Sequence, residues 1–395
     1  MDFATKTIHA GQPSEPHTGA VVPPIFQTTT YQQEAPGEHK GFDYTRTSNP
    51  TRKRLEAVLA ELEGGTHAAV FGSGLAAENA VLTAYLKPGT EILISEDVYG
   101  GTFRLLHKVF EPTGCVISRV DFSDLAALDR ALSSRTKLVW LESPTNPRLL
   151  VYDIAAIARV AHAKGALVVV DNTFATPFFQ RPFELGADLI IHSVTKYLAG
   201  HSDLIQGAVI ARDAAIFEPV GFLQNALGGT PSPFDCWLTL RGLRTLELRM
   251  LRHAENAIAV ADALSKHPRV KHVYFPGLPS HPGHDIARRQ MTGFGGMVSF
   301  EIDGTPAEAS KFVSSLKYFA LGESLGGVRA LVCLPCKMTH ASIPAETRKQ
   351  LGLSDTLVRL SPGCESPRDL VRDITDGLDR LGANRVSEAL ETVTI

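Results

Sequence analysis

Leu189-Ile190-Ile191-His192-Ser193-Val194-Thr195-Lys196 is the stretch on which the fold turns. The apolar run Leu189-Ile190-Ile191 reads as a buried strand. Ser193-Val194-Thr195-Lys196 then lies at the strand's C-terminal edge, where open α/β sheets place their sites. Upstream, Leu167-Val168-Val169-Val170 repeats the pattern and Asp171 closes it. Working outward, apolar strands are expected at 68–71, 91–95, 116–120, 138–141, 167–170, 189–192 and 207–211. Helical stretches such as 154–164 lie between most of them. This alternation predicts an α/β domain with a largely parallel sheet covered on both faces.

The flanks read differently. Residues 1–48 look like an extended arm, because Pro23-Pro24 and Thr28-Thr29-Thr30 disfavour helix and Pro36-Gly37 marks a loop. Such an arm cannot fold alone and should drape over its own chain or a neighbour. Pro50 suits a first helical turn with Asn49 as cap, Leu55, Val58, Leu59 and Leu62 recur at helical spacing, and Gly64-Gly65 ends the run. Residues 236–266 look helical. Strands at 270–274 and 297–302 and helices at 307–315 and 367–381 then suggest a smaller α+β domain. The expected division is an arm (1–48), a large α/β domain (49–245) and a C-terminal α+β domain (246–395).

Composition narrows the function classes. The chain has 395 residues, 44% hydrophobic and 21% charged, which suits a globular protein with a large core and argues against disorder. A net charge of −3 without a long basic block argues against nucleic acid. No apolar run approaches the ~18 residues of a membrane span. The start, Met1-Asp2-Phe3-Ala4-Thr5-Lys6, lacks signal-peptide form, so a cytoplasmic location is expected. Five cysteines are few for a disulfide scaffold. Cys333-Leu334-Pro335-Cys336 has redox or zinc-knuckle spacing but no second pair, and reads as two half-buried thiols. His281-Pro282-Gly283-His284 reads as a turn. No metal is expected.

A lysine after two hydroxyls at a strand edge suits a Schiff base to pyridoxal phosphate, with the hydroxyls helping to hold the phosphate. Asp171 at a like edge can pair with a pyridinium nitrogen. Alone, either is ordinary, a surface lysine or a helix-capping aspartate; together they favour the cofactor. Gly72-Ser73-Gly74-Leu75-Ala76-Ala77 follows the first strand and opens a helix, and small residues there let amides approach a phosphate. The same motif, with Glu96 and Asp97 about 20 residues on, leaves a dinucleotide-binding oxidoreductase open. Tyr99 can stack on a ring and move a proton. Tyr44 and Arg46 face one way on an extended segment and can clamp a phosphate, that of a neighbouring subunit if the arm crosses over. Arg359, inside Leu357-Val358-Arg359-Leu360, would be partly buried and needs an anion, either a substrate carboxylate or a structural partner.

These segments resemble the Cys/Met-metabolism family of pyridoxal-phosphate enzymes over nearly the whole chain. The resemblance is carried by the stretch from Asp188 to Gly207, with Ser193-Val194-Thr195-Lys196-Tyr197 and Gly200-His201-Ser202-Asp203. It is carried also by residues 44–52, 72–77, 97–102, 142–147 and 170–173 and by Met338-Thr339-His340-Ala341-Ser342. It implies the fold-type I architecture and a homotetramer, a dimer of dimers with active sites shared between subunits. It implies Lys196 as the Schiff-base lysine, Asp171 as the pyridinium partner and Tyr99 on the ring. Gly74, Leu75, Ser193 and Thr195 would bind the phosphate with Tyr44 and Arg46 of the partner subunit. Arg359 would grip the carboxylate of an amino-acid substrate, with Asn146 and Ser324 nearby. Glu323, in Gly322-Glu323-Ser324-Leu325-Gly326-Gly327, resembles γ-lyases and γ-synthases acting on cystathionine, where it can meet a distal ammonium. γ-Lyase activity is therefore expected, with γ-synthase and then β-lyase as alternatives. Val328-Arg329-Ala330 and the run from Pro362 to Ser366 depart from the family pattern near the carboxylate end and bear on substrate choice.

Overall fold

The computed structural model describes residues 1–341, 346, 348 and 351–392, with side chains in the last helix described as far as Leu381. Ser342, the end of one family segment, lies outside the described residues. The chain forms two compact units. The first comprises Met1–Glu96, Thr102–Ser143 and Asp153–Leu248, and the second Asp97–Gly101, Pro144–Tyr152 and Arg249–Ile395. Two short segments, 97–101 and 144–152, thus group with the C-terminal part of the chain.

The first unit is built on seven strands: β1 (His67–Phe71), β2 (Glu91–Ser95), β3 (Val116–Val120), β4 (Thr136–Glu142), β5 (Leu167–Asp171), β6 (Leu189–Ser193) and β7 (Gly207–Ala211). Their order is β1-β7-β6-β5-β4-β2-β3. β7 runs antiparallel to both neighbours, and the remaining pairs are parallel. Every residue of β2 and β7 is buried, as is the middle of β4, β5 and β6, because helices cover both faces. β1, which precedes the glycine-rich turn, is an edge strand paired only with antiparallel β7. A dinucleotide fingerprint belongs instead in a βαβ unit at the middle of a parallel sheet. The oxidoreductase alternative loses its structural footing there.

The helix Pro50–Glu63 starts as expected. The Asn49 side-chain oxygen accepts from the amides of Thr51 (2.9 Å) and Arg52 (3.3 Å), and Gly64 closes the helix at φ 74°. Two expectations need correction. The arm is not extended throughout, because Phe3–His9 is a helix. It forms where no proline intervenes. Thr7 and Ala10 are buried, Lys6 pairs with Glu61 at 2.9 Å, and Gly11 abuts Val58. The helical stretch 236–266 is two helices, Pro233–Leu243 and Leu246–Ser265. The break follows Gly242, whose added Cβ would fall 2.2 Å from the Ala199 carbonyl oxygen. The first helix is held against that backbone, and the turn at Arg244-Thr245 lets the second start afresh.

The second unit carries β8 (Val270–Tyr274), β9 (Val298–Ile302), β10 (Ala320–Leu321), β11 (Leu331–Cys333) and β12 (Leu357–Ser361), ordered β10-β11-β12-β9-β8. All pairs but β10-β11 are antiparallel. Phe300 on β9 meets Phe312 of the helix Pro306–Ser315 edge to face, with ring centroids 5.8 Å apart. Leu370, Ile374 and Leu378 of the last helix join the same core, each buried side chain contributing roughly 1.5–3 kcal/mol. That helix, expected at 367–381, runs on to Thr392. All five cysteines are free of disulfides. Among the described residues no helix is long and apolar enough to cross a membrane.

Asn49 also donates to the Phe26 carbonyl oxygen at 2.9 Å and is fully buried. Asn49→Ala removes the cap and leaves the Phe26 carbonyl with the Thr28 amide alone, at 3.0 Å. The expected cost is about 1–2 kcal/mol, read as a lower thermal-unfolding midpoint. An unchanged midpoint would show the cap to be dispensable.

Candidate functional site

In the first unit, β5 and β6 are parallel with Asp171 opposite Ile191, so Asp171 and the segment after Ser193 leave the sheet at one edge. A relay of hydrogen bonds ties them. The Ser193 amide donates to the Thr173 hydroxyl at 2.8 Å, and the Thr173 amide donates to Asp171 Oδ1 at 2.9 Å. After Ser193 the chain turns tightly. The Lys196 amide donates to the Ser193 carbonyl at 3.1 Å, and the Gly200 amide to that of Lys196 at 2.8 Å. Lys196, Ser193, Thr195 and Asp171 all keep intermediate exposure amid buried neighbours, as groups lining an opening do.

Two glycines bring a helix N-terminus to the same edge. A Cβ on Gly74 would sit 3.1 Å from Ser193 Cβ, and one on Gly207 would sit 2.2 Å from the Ser73 carbonyl oxygen. Only glycine permits that approach. Ser73 caps the helix Gly74–Tyr85 through the Ala76 amide at 3.0 Å. The first-turn amides of this helix, those of Gly74 and Leu75 included, have no intrahelical acceptor. The Thr195 hydroxyl donates to the Gln206 carbonyl (3.1 Å) and accepts from the Gln206 amide (2.9 Å), which fixes its place beside Ser193.

The charges at this edge are managed from below. Burial pushes the Asp171 carboxyl up, while the Thr173 hydrogen bonds and then the His192 imidazole pull it down. His192 meets Glu63 in a very short hydrogen bond, and Asn172 donates to the same Glu63 oxygen at 2.9 Å. Glu78, four residues after Gly74 on the same helix face, is 3% exposed. Burial first and Asp171 second push its carboxyl up to about 8, against a smaller pull from Thr102. Sequence reasoning missed Glu78, Glu63 and Thr173. The only signal for Glu78 was a carboxylate inside an alanine-rich helix one turn after the glycine.

Tyr44 and Arg46 do face one way. The Arg46 guanidinium lies 5.5 Å from the Tyr44 ring centroid, and its Nη1 donates to Asn225 O and Oδ1, both at 2.9 Å. In a single chain this pair rests on Asn225.

The second unit gathers the remaining candidates. Arg359 on β12 is 2% exposed. Its Nη1 donates to Asn146 Oδ1 and its Nη2 to the Ser324 carbonyl, both at 2.9 Å. Ser324 holds φ 96°, an uncommon conformation for a residue with a side chain. Both acceptors are neutral and Arg359 Nε has no partner, so the expected anion is absent from the described residues. Glu323, beside Ser324, is exposed. Tyr99 folds over Gly101, where a Cβ would fall 2.3 Å from its ring. Asp97 is committed elsewhere. It accepts from Thr145 Oγ1 at 2.5 Å and lies 3.6 Å from Arg148 Nε, so it is no ribose ligand. Cys333 and Cys336 are buried thiols with no disulfide. His281 accepts from the Gly283 amide in a turn, as expected, whereas His284, which bonds the Pro276 carbonyl, is not a turn residue but opens the helix His284–Gln290.

Residues 4–379 match the family described as "Cys/Met metabolism PLP-dependent enzyme". The chain is 50% identical over 379 residues to a cystathionine γ-lyase of Dictyostelium discoideum, covering 96% of this chain and 98% of that protein. It is 48% identical over 376 residues to a cystathionine β-lyase of Lactococcus lactis, covering 95% and 98%. The crystal structure of a cystathionine γ-synthase from Xanthomonas oryzae pv. oryzae in complex with cystathionine superposes with a TM-score of 0.94 at 46% identity, covering 97% and 99%. The chain belongs to this family of PLP-dependent enzymes, and its cofactor is pyridoxal phosphate. The residues fit the group. An amine, an enclosed carboxylate and a glycine-lined cradle of hydroxyls and helix-start amides meet at one sheet edge.

The Glu78 carboxyl gives this edge a pH signature. The folded chain keeps a proton there between 4.5, the ordinary carboxyl value, and about 8, where the unfolded chain has lost it. Stability therefore falls as pH climbs through that window and levels off above it. Relative to Glu78→Gln, the cofactor-free wild type should lose thermal stability over that range. Parallel unfolding-midpoint curves for the two proteins would remove the proton from Glu78.

Proposed function

We propose that the chain catalyses α,γ-elimination of L-cystathionine, which with one water gives L-cysteine, 2-oxobutyrate and ammonia. The observation that carries this reading is the buried Arg359 guanidinium, held by two neutral oxygens with Nε unpartnered. A buried cation without a counter-charge is costly, and an α-amino acid's carboxylate is the anion whose two oxygens suit its fork. Glu323, exposed next to Ser324, offers a carboxylate to the distal ammonium of a long diamino acid. The 50% identity to the Dictyostelium γ-lyase supports the same reaction.

Bound pyridoxal phosphate supplies an electron sink for the carbon bearing the substrate amine. Lys196 Nζ would carry the cofactor's aldehyde and, when released, take the Cα proton and help move one from Cβ. The Asp171 carboxylate would hold the proton on the ring nitrogen. Gly74 and Leu75 amides with Ser193 and Thr195 hydroxyls would hold the phosphate. Tyr99 would cover the ring and give its phenolic proton to sulfur as the Cγ–S bond breaks. Asn146 and Ser324 would steady Arg359 on the carboxylate.

Tyr44 and Arg46 of the partner subunit would complete the phosphate site in a homotetramer of two tight dimers. The exposed apolar side chains Val21 (76%), Phe222 (69%), Phe234 (50%) and Leu248 (70%) support burial by further copies. The arm would then reach a neighbour. Five disulfide-free cysteines suit a cytoplasmic enzyme.

Lys196→Ala should abolish turnover and the cofactor's visible absorption band, and a variant active at the wild-type rate would sink the assignment. Incubation with cystathionine should yield 2-oxobutyrate and cysteine. Pyruvate with homocysteine would point to a β-lyase. Net cystathionine formation from an O-acylhomoserine and cysteine, without 2-oxobutyrate from cystathionine, would point to the γ-synthase reaction. Sedimentation should give a mass four times 42.7 kDa; a monomer would remove the shared site.

A further inference from the structure

His340 has no part in the roles above, yet it stands among the residues that hold Arg359. It is 1% exposed. Its amide donates to the Pro335 carbonyl at 2.9 Å, and Nδ1 lies 2.9 Å from the Thr339 hydroxyl. Nε2 is shut away from water without a hydrogen-bond partner. The ring faces the Asn146 main chain and the guanidinium of Arg359, with that of Arg348 farther in influence. One residue back, the Thr339 carbonyl oxygen lies 2.6 Å from where a Cβ on Gly100 would be. The segment carrying Tyr99 therefore rests on the same two residues.

We propose that His340 is a positioning residue for the substrate carboxylate, forming with Thr339 a bracket that fixes Asn146, and through it the Arg359 fork, against the Tyr99 segment. The inference rests on the reading of Arg359 as the carboxylate's ligand. The chemistry asks for a neutral polar ring. Among the described residues Arg359 has no counter-charge, and a second cation beside it would push the fork off its two acceptors. Burial, and after it Arg359, drive the imidazole's proton affinity down to about 4; the Asn146 carbonyl opposes them and Arg348 reinforces them. The ring therefore stays neutral above about pH 4. An apolar residue of similar size would fill the space but leave the Thr339 hydroxyl and the Asn146 main chain without their polar neighbour.

The test uses the cofactor-loaded protein with His340→Leu, His340→Gln, Asn146→Ala, Arg359→Ala and the double variant His340→Leu/Asn146→Ala. L-serine serves as probe, because it carries the α-amine and α-carboxylate without a distal arm. Both His340 variants should keep the cofactor absorption band. Each should raise the KM for cystathionine and the inhibition constant of L-serine about tenfold, the scale of one lost buried hydrogen bond, with kcat changed less than about threefold. The double variant should be little worse than the worse single one, because both act through one bracket. The inference is overturned if L-serine binds a folded, cofactor-loaded His340 variant as it binds wild type. Multiplying effects in the double variant, or a fall in kcat alone, would overturn it too. His340→Gln keeps a polar atom in place should the leucine variant not fold. If Arg359→Ala leaves L-serine binding intact, the fault lies with the carboxylate reading. If Arg359→Ala weakens it and the His340 variants do not, that reading stands and the bracket falls.

Discussion

The parallel register of β5 and β6 is the constraint on which the first unit's chemistry depends. Asp171 opposite Ile191 sends the carboxylate and the turn bearing Lys196 out of one sheet edge. A slip by one residue would turn Asp171 to the opposite face, the side on which Asn172 and His192 meet Glu63. That register is guarded twice, by full burial of the central strand residues and by the Ser193–Thr173–Asp171 relay just beyond them. β7, antiparallel to β6, pairs Gly207 with Ser193, and the missing side chain there admits Ser73 and Gly74. Register thus decides where the amine, the carboxylate and the helix-start amides converge.

Buried charge is handled by opposite means in the two units. In the first, Glu78 and Asp171 repel each other, and the repulsion is relieved by protonation. Glu78 holds its proton to about 8, leaving Asp171 the better able to stay ionised. His192 adds a compensating influence from the other side of the sheet. In the second, Arg359 cannot shed its charge, and among the described residues it is met by the neutral oxygens of Asn146 and Ser324. Burial, and after it that cation, keep the His340 imidazole neutral, its proton affinity held down to about 4. A protonated carboxyl beside an ionised one, and a neutral imidazole beside a guanidinium, solve the same electrostatic problem with opposite signs.

Much of this was legible in the sequence because it rests on local pattern. Apolar runs ending in Asp171 and Ser193 announce strands, Asn49-Pro50 announces a capped helix, and an arginine among Leu357, Val358 and Leu360 announces a buried cation. What stayed hidden depends on distant partners. The break after Leu243 follows from Ala199 pressing on Gly242, more than forty positions away. The helix Phe3–His9 depends on packing against Pro50–Glu63, which no local propensity reports. That Tyr44 and Arg46 face one way was legible, and the hold of Arg46 on Asn225 was not. Glu78 and His340 escaped for the same reason. Spacing shows that a polar residue lies on a helix or turn, but only tertiary packing shows which buried charge it answers to.

The relatives named γ-lyase, β-lyase and γ-synthase share about half their residues with this chain, and that has a physical reading. A lysine, a carboxylate and a phosphate cradle set the class of chemistry and leave the choice of bond open. That choice must rest with groups that meet the substrate's far end and time its protons. In this chain the backbone around Glu323 and around the two departing runs is irregular. Ser324 is held at φ 96° beside Glu323, and Gly363 is packed so tightly that a Cβ would fall 2.4 Å from the Val328 carbonyl oxygen. The Cys364 amide donates to that same carbonyl at 2.7 Å. The two runs that depart from the family pattern, 328–330 and 362–366, are therefore bonded to each other. A change in either run would disturb the Val328 carbonyl that both share. The 328–330 and 362–366 runs thus form a single packed unit, and a replacement in one has to be accommodated by the other.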